Sequence, residues 1–153
     1  MALPESTLLR LRTQLDCLPT LLAGVFDDAL ERKPLPDKWS ARENLAHLAR
    51  YQSVFLDRFN RLTTELHPVL PRYKAEDDPE WKFWITCSKS EIFESLQTQR
   101  QELIRQVDRS SDGESAKTGK HTRLGELSIA QWLEFFLLHE AHHLLAVFQR
   151  TRE

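Results

Sequence analysis

Four long stretches of helically spaced apolar residues, only four glycines in 153 residues, and no sustained alternating run predict an all-α chain. A proline-rich connection between the second and third stretches is long enough to cross from one end of a bundle to the other. The predicted architecture is therefore a four-helix bundle with one long crossover, formed as a single domain over residues 1–153.

In the first stretch, Pro4 to Glu31, leucines 8, 11, 15, 18, 22 and 30, with Val25 or Phe26, recur at helical spacing. Pro19 either kinks this helix or opens a new one in its first turn. Lys33 to Lys38, with two prolines, ends it. The second helix opens at Ser40, which forms a capping box with Glu43, and Trp39 precedes the cap as a hydrophobic staple. It runs to about Leu66, with Leu48, Phe55, Phe59, Leu62 and Leu66 on one face and His47 at that face's border. Residues 67–79 form the crossover loop, and Trp81, Phe83 and Trp84 either cover the core's end or line a pocket. A third helix spans about Ser88 to Asp108. Ser110 to His121 is polar and reads as a mobile surface loop.

The last helix, Ser128 to Gln149, is capped by Ser128 and Gln131 and is apolar around most of its circumference. It carries three of the six histidines. At about 100° per residue, His139 and His143 fall within roughly 40° of each other, one above the other, while His142 lies on the polar edge. Two imidazoles on an apolar face need partners, and a divalent metal is one that takes ligands at this spacing. A catalytic ion takes three protein ligands and leaves a position open. On the facing second helix, His47 is the candidate for the third. Glu140 falls among apolar neighbours, so it either orients a ligand histidine, serves as a general base, or pairs with another helix. Tyr51, one turn after His47, either hydrogen-bonds a metal-bound group or is a core tyrosine. Residues 139–143 also match H-E-x-x-H, but only ten residues follow and none is a His, Asp or Cys, which argues against a zinc protease.

Composition bounds the function classes. Hydrophobic residues at 41% and charged residues at 29% suit an ordinary globule, and a net charge of −2 offers no basic surplus for nucleic acid or membrane. No apolar run reaches transmembrane length, and the first residues carry no signal-peptide pattern. Cys17 and Cys87, far apart and without ligand spacing, read as reduced thiols of a cytoplasmic protein.

The segment Lys38-Trp39-Ser40 through His47-Leu48, then His121 to Gly125, Ser128 to Leu133 and His139 to Leu144, resembles in the same order the DinB/YfiT-like superfamily, a group of proposed metalloenzymes. The resemblance implies a crossover four-helix bundle, frequent homodimers, and a divalent metal held by His47, His139 and His143. It also implies, for some members, transfer of a low-molecular-weight thiol. The expected activity is thus metal-dependent thiol S-transfer or hydrolysis of a small molecule. Zinc is the first metal and nickel the second, because imidazole suits both. Glu140 and Tyr51 are the candidate catalytic groups. The alternatives are a non-catalytic bundle in which metal stabilises or senses, and a helical interaction module without metal. Leu137, Leu138, Leu145 and Phe148, lying away from the histidine face, are the expected dimer surface.

Overall fold

A computed structural model describes residues 3–110 and 113–152. Its principal helices are α1 (Glu5–Thr13), α4 (Ala41–Thr64), α6 (Lys89–Arg109) and α7 (Ile129–Arg150). Short helices α2 (Leu18–Leu21), α3 (Asp27–Glu31) and α5 (Trp81–Trp84) lie in the connections. Pro19 sits in the first turn of α2, after a 3-10 turn at Gln14–Cys17, so the first stretch breaks rather than kinks. Gly24, at φ 71°, supplies a further bend.

Serine capping boxes start all three long helices: Ser40 with Glu43, Ser88 with Glu91, and Ser128 with Gln131. Each satisfies backbone donors that the first turn leaves orphaned. The helices pack with α4 against both α6 and α7, and with α1 against the same two. Arg42 donates to the carbonyls of Ile85 and Cys87, and Gln52 to that of Leu96. Chain order thus rises together on α4 and α6, the two run parallel, and residues 65–88 cross the length of the bundle. Asn44 meets His143 and His47 meets His139, so α7 runs antiparallel to α4.

The core has two clusters. Tyr51, Phe55, Phe59 and Leu62 of α4 pack on Trp132, Leu133 and Phe136 of α7. Ala41, Leu45 and Leu48 pack with Leu30, Ile92, Leu144 and Val147. On α7 the histidines occupy the turn between the two clusters.

The strand-free expectation is corrected. The stretch read as a mobile loop contains β2 (Thr118–His121), which pairs antiparallel with β3 (Gly125–Ser128) and parallel with β1 (Val69–Leu70). Ser111 and Asp112 of that stretch lie outside the described residues. The sheet ties the crossover to the segment before α7. It lies so close to α4 that a Cβ on Gly119 would stand 2.5 Å from Leu62 Cδ2 and 3.2 Å from the Pro68 carbonyl oxygen, which is why glycine occupies this position. Gly125, at φ 82°, makes the turn into β3.

Candidate metal centre

His47 is presented by the second turn of α4, and His139 and His143 by successive turns of α7. Each of the three offers a nitrogen within 4.8 Å of the other two's. The Nε2 atoms of His47 and His139 are 3.0 Å apart, and the His47 ring centroid lies 4.3 Å from that of His143. Two neutral imidazoles facing through Nε2 can share only one proton, so a cation at the same point satisfies lone pairs that would otherwise compete. Among the described residues, no carboxylate belongs to this group. The donor set is one that a divalent transition ion accepts.

The cluster is preset in its neutral form. Burial is the largest cause, reinforced by the neighbouring histidines. It lowers His47 from 6.5 to about 4, His139 to about 3, and His143 further still. An unfolded chain would take up protons near pH 6.5 that the native chain refuses until about pH 4. Stability from these groups is therefore complete above pH 6.5 and lost as pH falls below it. Metal-free protein is expected to show a lower urea midpoint at about pH 4.5 than at about pH 7.5, with a smaller drop in the His47→Gln variant. Equal drops in the two proteins would contradict the assignment.

His143 is oriented by a residue to which the sequence assigned no role. Its Nδ1 lies 2.8 Å from Asn44 Oδ1, and the Asn44 amide in turn donates to the Ser40 carbonyl at 2.8 Å. Because that amide group is engaged, Oδ1 must accept, which places the His143 proton on Nδ1 and leaves Nε2 as a lone pair. Asn44→Ala is expected to weaken metal affinity by about 10- to 100-fold while the far-ultraviolet circular dichroism stays unchanged. Undiminished affinity in a metal titration would count against this role.

An open cleft of about 520 Å³ reaches the histidines. Its walls include Trp39, Tyr51, Phe135, residues 73–76 of the crossover, and His121, Arg123 and Leu124 beside the hairpin. Trp39 does not act as a staple. Its ring lies 4.9 Å from His47, stacks at 5.9 Å on His143, and meets Trp81 at a tilt, while the staple position on α4 is Asn44. Trp132 is fully buried behind the cleft and donates to the Gly119 carbonyl. The rim is anchored by Asp78, which accepts from Arg50 at 2.6 Å and from the Tyr73 hydroxyl at 2.8 Å. His142 is exposed, edge-on to His143, and outside the three-histidine group.

The two candidate catalytic groups fare differently. Tyr51 packs its ring 4.1 Å from that of His139. Burial raises its pKa against the opposing charge of Arg58, which donates to its hydroxyl, so the hydroxyl keeps its proton. Glu140 is corrected: its carboxylate is 1% exposed, pairs with Arg100 and accepts from Gln14 at 2.8 Å. These partners come from α6 and the turn after α1, so neither oxygen serves a histidine. Burial pushes this carboxyl up and the Arg100 guanidinium down, each opposed by the other's charge.

Arg58 and His121 also belong to the cleft and were not singled out. Arg58 follows Tyr51 and Phe55 at helical spacing on the buried face of α4, a cationic interruption visible in the heptad. His121 ends a strand too short to show alternation.

The fold has known counterparts. YfiT from Bacillus subtilis, described as a probable metal-dependent hydrolase with an unusual four-helix bundle topology, superposes with a TM-score of 0.83 at 19% identity, over 97% of this chain and 85% of that one. TT2238, a four-helix bundle protein, gives 0.59 at 24% identity, over 93% and 95%. The uncharacterised protein YuaE of Bacillus subtilis (strain 168) is 25% identical over 138 residues, 80% of this chain and 83% of that protein. Residues 10–147 match the DinB superfamily, and with nearly the whole bundle inside that match the chain belongs to the DinB superfamily.

Proposed function

We propose that this protein is a divalent-metal enzyme acting on a small molecule, a hydrolase or a thiol S-transferase, with His47, His139 and His143 as ligands. The observation that carries the reading is the convergence of three neutral imidazoles at the wall of an open cleft. A bound zinc or nickel ion supplies Lewis-acid polarisation and lowers the pKa of water or of a thiol. The chain's own residues do the rest. Asn44 holds the His143 tautomer, and Tyr51 offers a proton donor beside His139. Trp39, Tyr73 and Phe135 give the pocket an apolar lining that orients a small substrate and limits water. The description of YfiT as a probable metal-dependent hydrolase supports the same reading.

The cleft favours this over a purely structural metal, because a structural ion is enclosed by four protein ligands. The test is elemental analysis of the purified protein, followed by screens for ester and amide hydrolysis and for thiol transfer to an electrophile. About one ion per chain with either activity is expected. A metal-free protein at full stability overturns the reading.

The reading includes a cytoplasmic location, supported by Cys17 and Cys87 both being free thiols. No helix among the described residues is long and apolar enough to cross a membrane. It also includes a homodimer through the outer face of α7. Leu138, Leu145 and Phe148 are exposed there, whereas Leu137, expected on the same surface, is buried within its own chain. Light scattering is expected to give twice the monomer mass, falling toward the monomer in Leu138→Lys/Leu145→Lys. Monomer alone at high micromolar concentration excludes the dimer.

A further inference from the structure

Among the described residues two arginines are buried, each 4% exposed. Arg100 is neutralised by Glu140. Arg58 has no ion pair among the described residues. It donates only to neutral acceptors, the Tyr51 hydroxyl at 2.8 Å and the Pro71 carbonyl at 2.5 Å. Its guanidinium lies over the Tyr51 and Trp132 rings, 5.6 Å from each centroid. Burying a cation without a counter-charge is costly, and Arg58 faces the cleft that holds the histidines.

The surrounding groups have the same character. Arg58, Arg72, Lys74 and Arg123 line this cleft against a single acidic residue, Glu76, although the chain as a whole carries −2. His121 adds a directed donor. Its Nδ1 accepts from the backbone N–H groups of Arg123 and Leu124, at 3.1 and 3.0 Å, so the proton sits on Nε2. Arg58, Arg72 and Arg123 all lie near enough to disfavour its cationic form, which burial disfavours first. Neutral and Nε2-protonated, His121 gives a hydrogen bond without adding to the charge crowding.

We infer that Arg58, Arg72, Arg123 and His121 form an oxyanion subsite beside the three histidines, and that the substrate or co-substrate is a small molecule bearing a carboxylate or phosphate. The anion supplies the counter-charge Arg58 lacks, and the planar guanidinium suits a two-oxygen acceptor. Tyr51 joins the two halves of the site, with its ring on His139 and its hydroxyl on Arg58. An anchored oxyanion would hold the rest of the molecule over the histidines, in a geometry set before reaction. This inference rests on the reading of the same cleft as the reaction site, but anion binding itself requires no metal.

The test is titration of the full chain with acetate and, separately, inorganic phosphate at low ionic strength, followed by NMR of the Arg58 Nε–H and the His121 ring. The zinc-loaded protein and the His139→Ala protein are both titrated. Saturable shifts at both residues are expected in each protein, with the tighter probe telling carboxylate from phosphate recognition. Arg72→Gln/Arg123→Gln, confined to exposed positions, is expected to weaken binding about tenfold, and Arg58→Met to abolish it. Saturation by neither probe overturns the subsite. So does unchanged affinity in the surface double variant, which remains informative if Arg58→Met does not fold. Binding seen only with zinc would make the anion a metal ligand and overturn it as well. Binding without any detectable metal in the wild type would defeat the metal reading and support this one.

Discussion

Replacing His139 with alanine is expected to strip the protein of its metal. His139 touches both other histidines, its ring centroid 5.0 Å from that of His47 and 4.6 Å from that of His143, its Nε2 is 3.0 Å from the His47 Nε2, and among the described residues no fourth histidine or carboxylate belongs to the group. Losing one of three ligands should cost more than the loss of an orienting partner, so affinity is expected to fall more than about a hundredfold. His47→Ala and His143→Ala should do the same, whereas His142→Ala, whose ring lies outside the group, should keep its metal. Elemental analysis after dialysis against a weak chelator reads this directly. Full retention in His139→Ala would end the assignment. The fold is expected to survive, since the apolar clusters on either side of the histidines are untouched.

Glu140→Ala is expected to do the opposite: lose stability and keep its metal. The substitution leaves Arg100 buried at 4% exposure without its carboxylate, beneath Phe136 and held only by the Gln52 side chain and the Leu11 carbonyl. Breaking a buried pair from one side costs about 3–5 kcal/mol. In a chain of this length that is about 10 °C in Tm. Chemical denaturation and a metal titration on the same sample separate the two effects. The double variant Arg100→Met/Glu140→Leu, which removes both charges, should recover most of the loss. A Glu140→Ala protein that is fully stable but inactive would restore the general-base role that the ion pair argues against.

Much of the bundle could be read from residues alone because its cues are local. Ser40 with Glu43 and Ser128 with Gln131 announce their helices within four residues, and both boxes form. The stacking of His139 on His143 follows from helix geometry. Bringing His47 level with them required α4 and α7 to run antiparallel or in staggered register, and antiparallel is what the chain adopts. The sheet gave no such cue. Its strands are two to four residues long, below the length at which alternation can be measured, and β2 contains a glycine. The partner of Glu140 was equally hidden, for Arg100 lies forty residues away and only tertiary packing joins them. Asn44 was visible one turn before His47, but its role depends on a contact with a residue 99 positions later.

The small sheet separates two kinds of task. The bundle carries the histidines and Asn44, set by helix packing that tolerates little change. The cleft's outer wall, residues 73–76 with His121, Arg123 and Leu124, hangs instead from β1 and β2, which join two connections to each other. Connections accept substitution and insertion more readily than packed helices. A lineage could therefore rewrite what the mouth admits while its reactive centre stays the same, turning one constant centre toward new molecules by altering these rim positions alone.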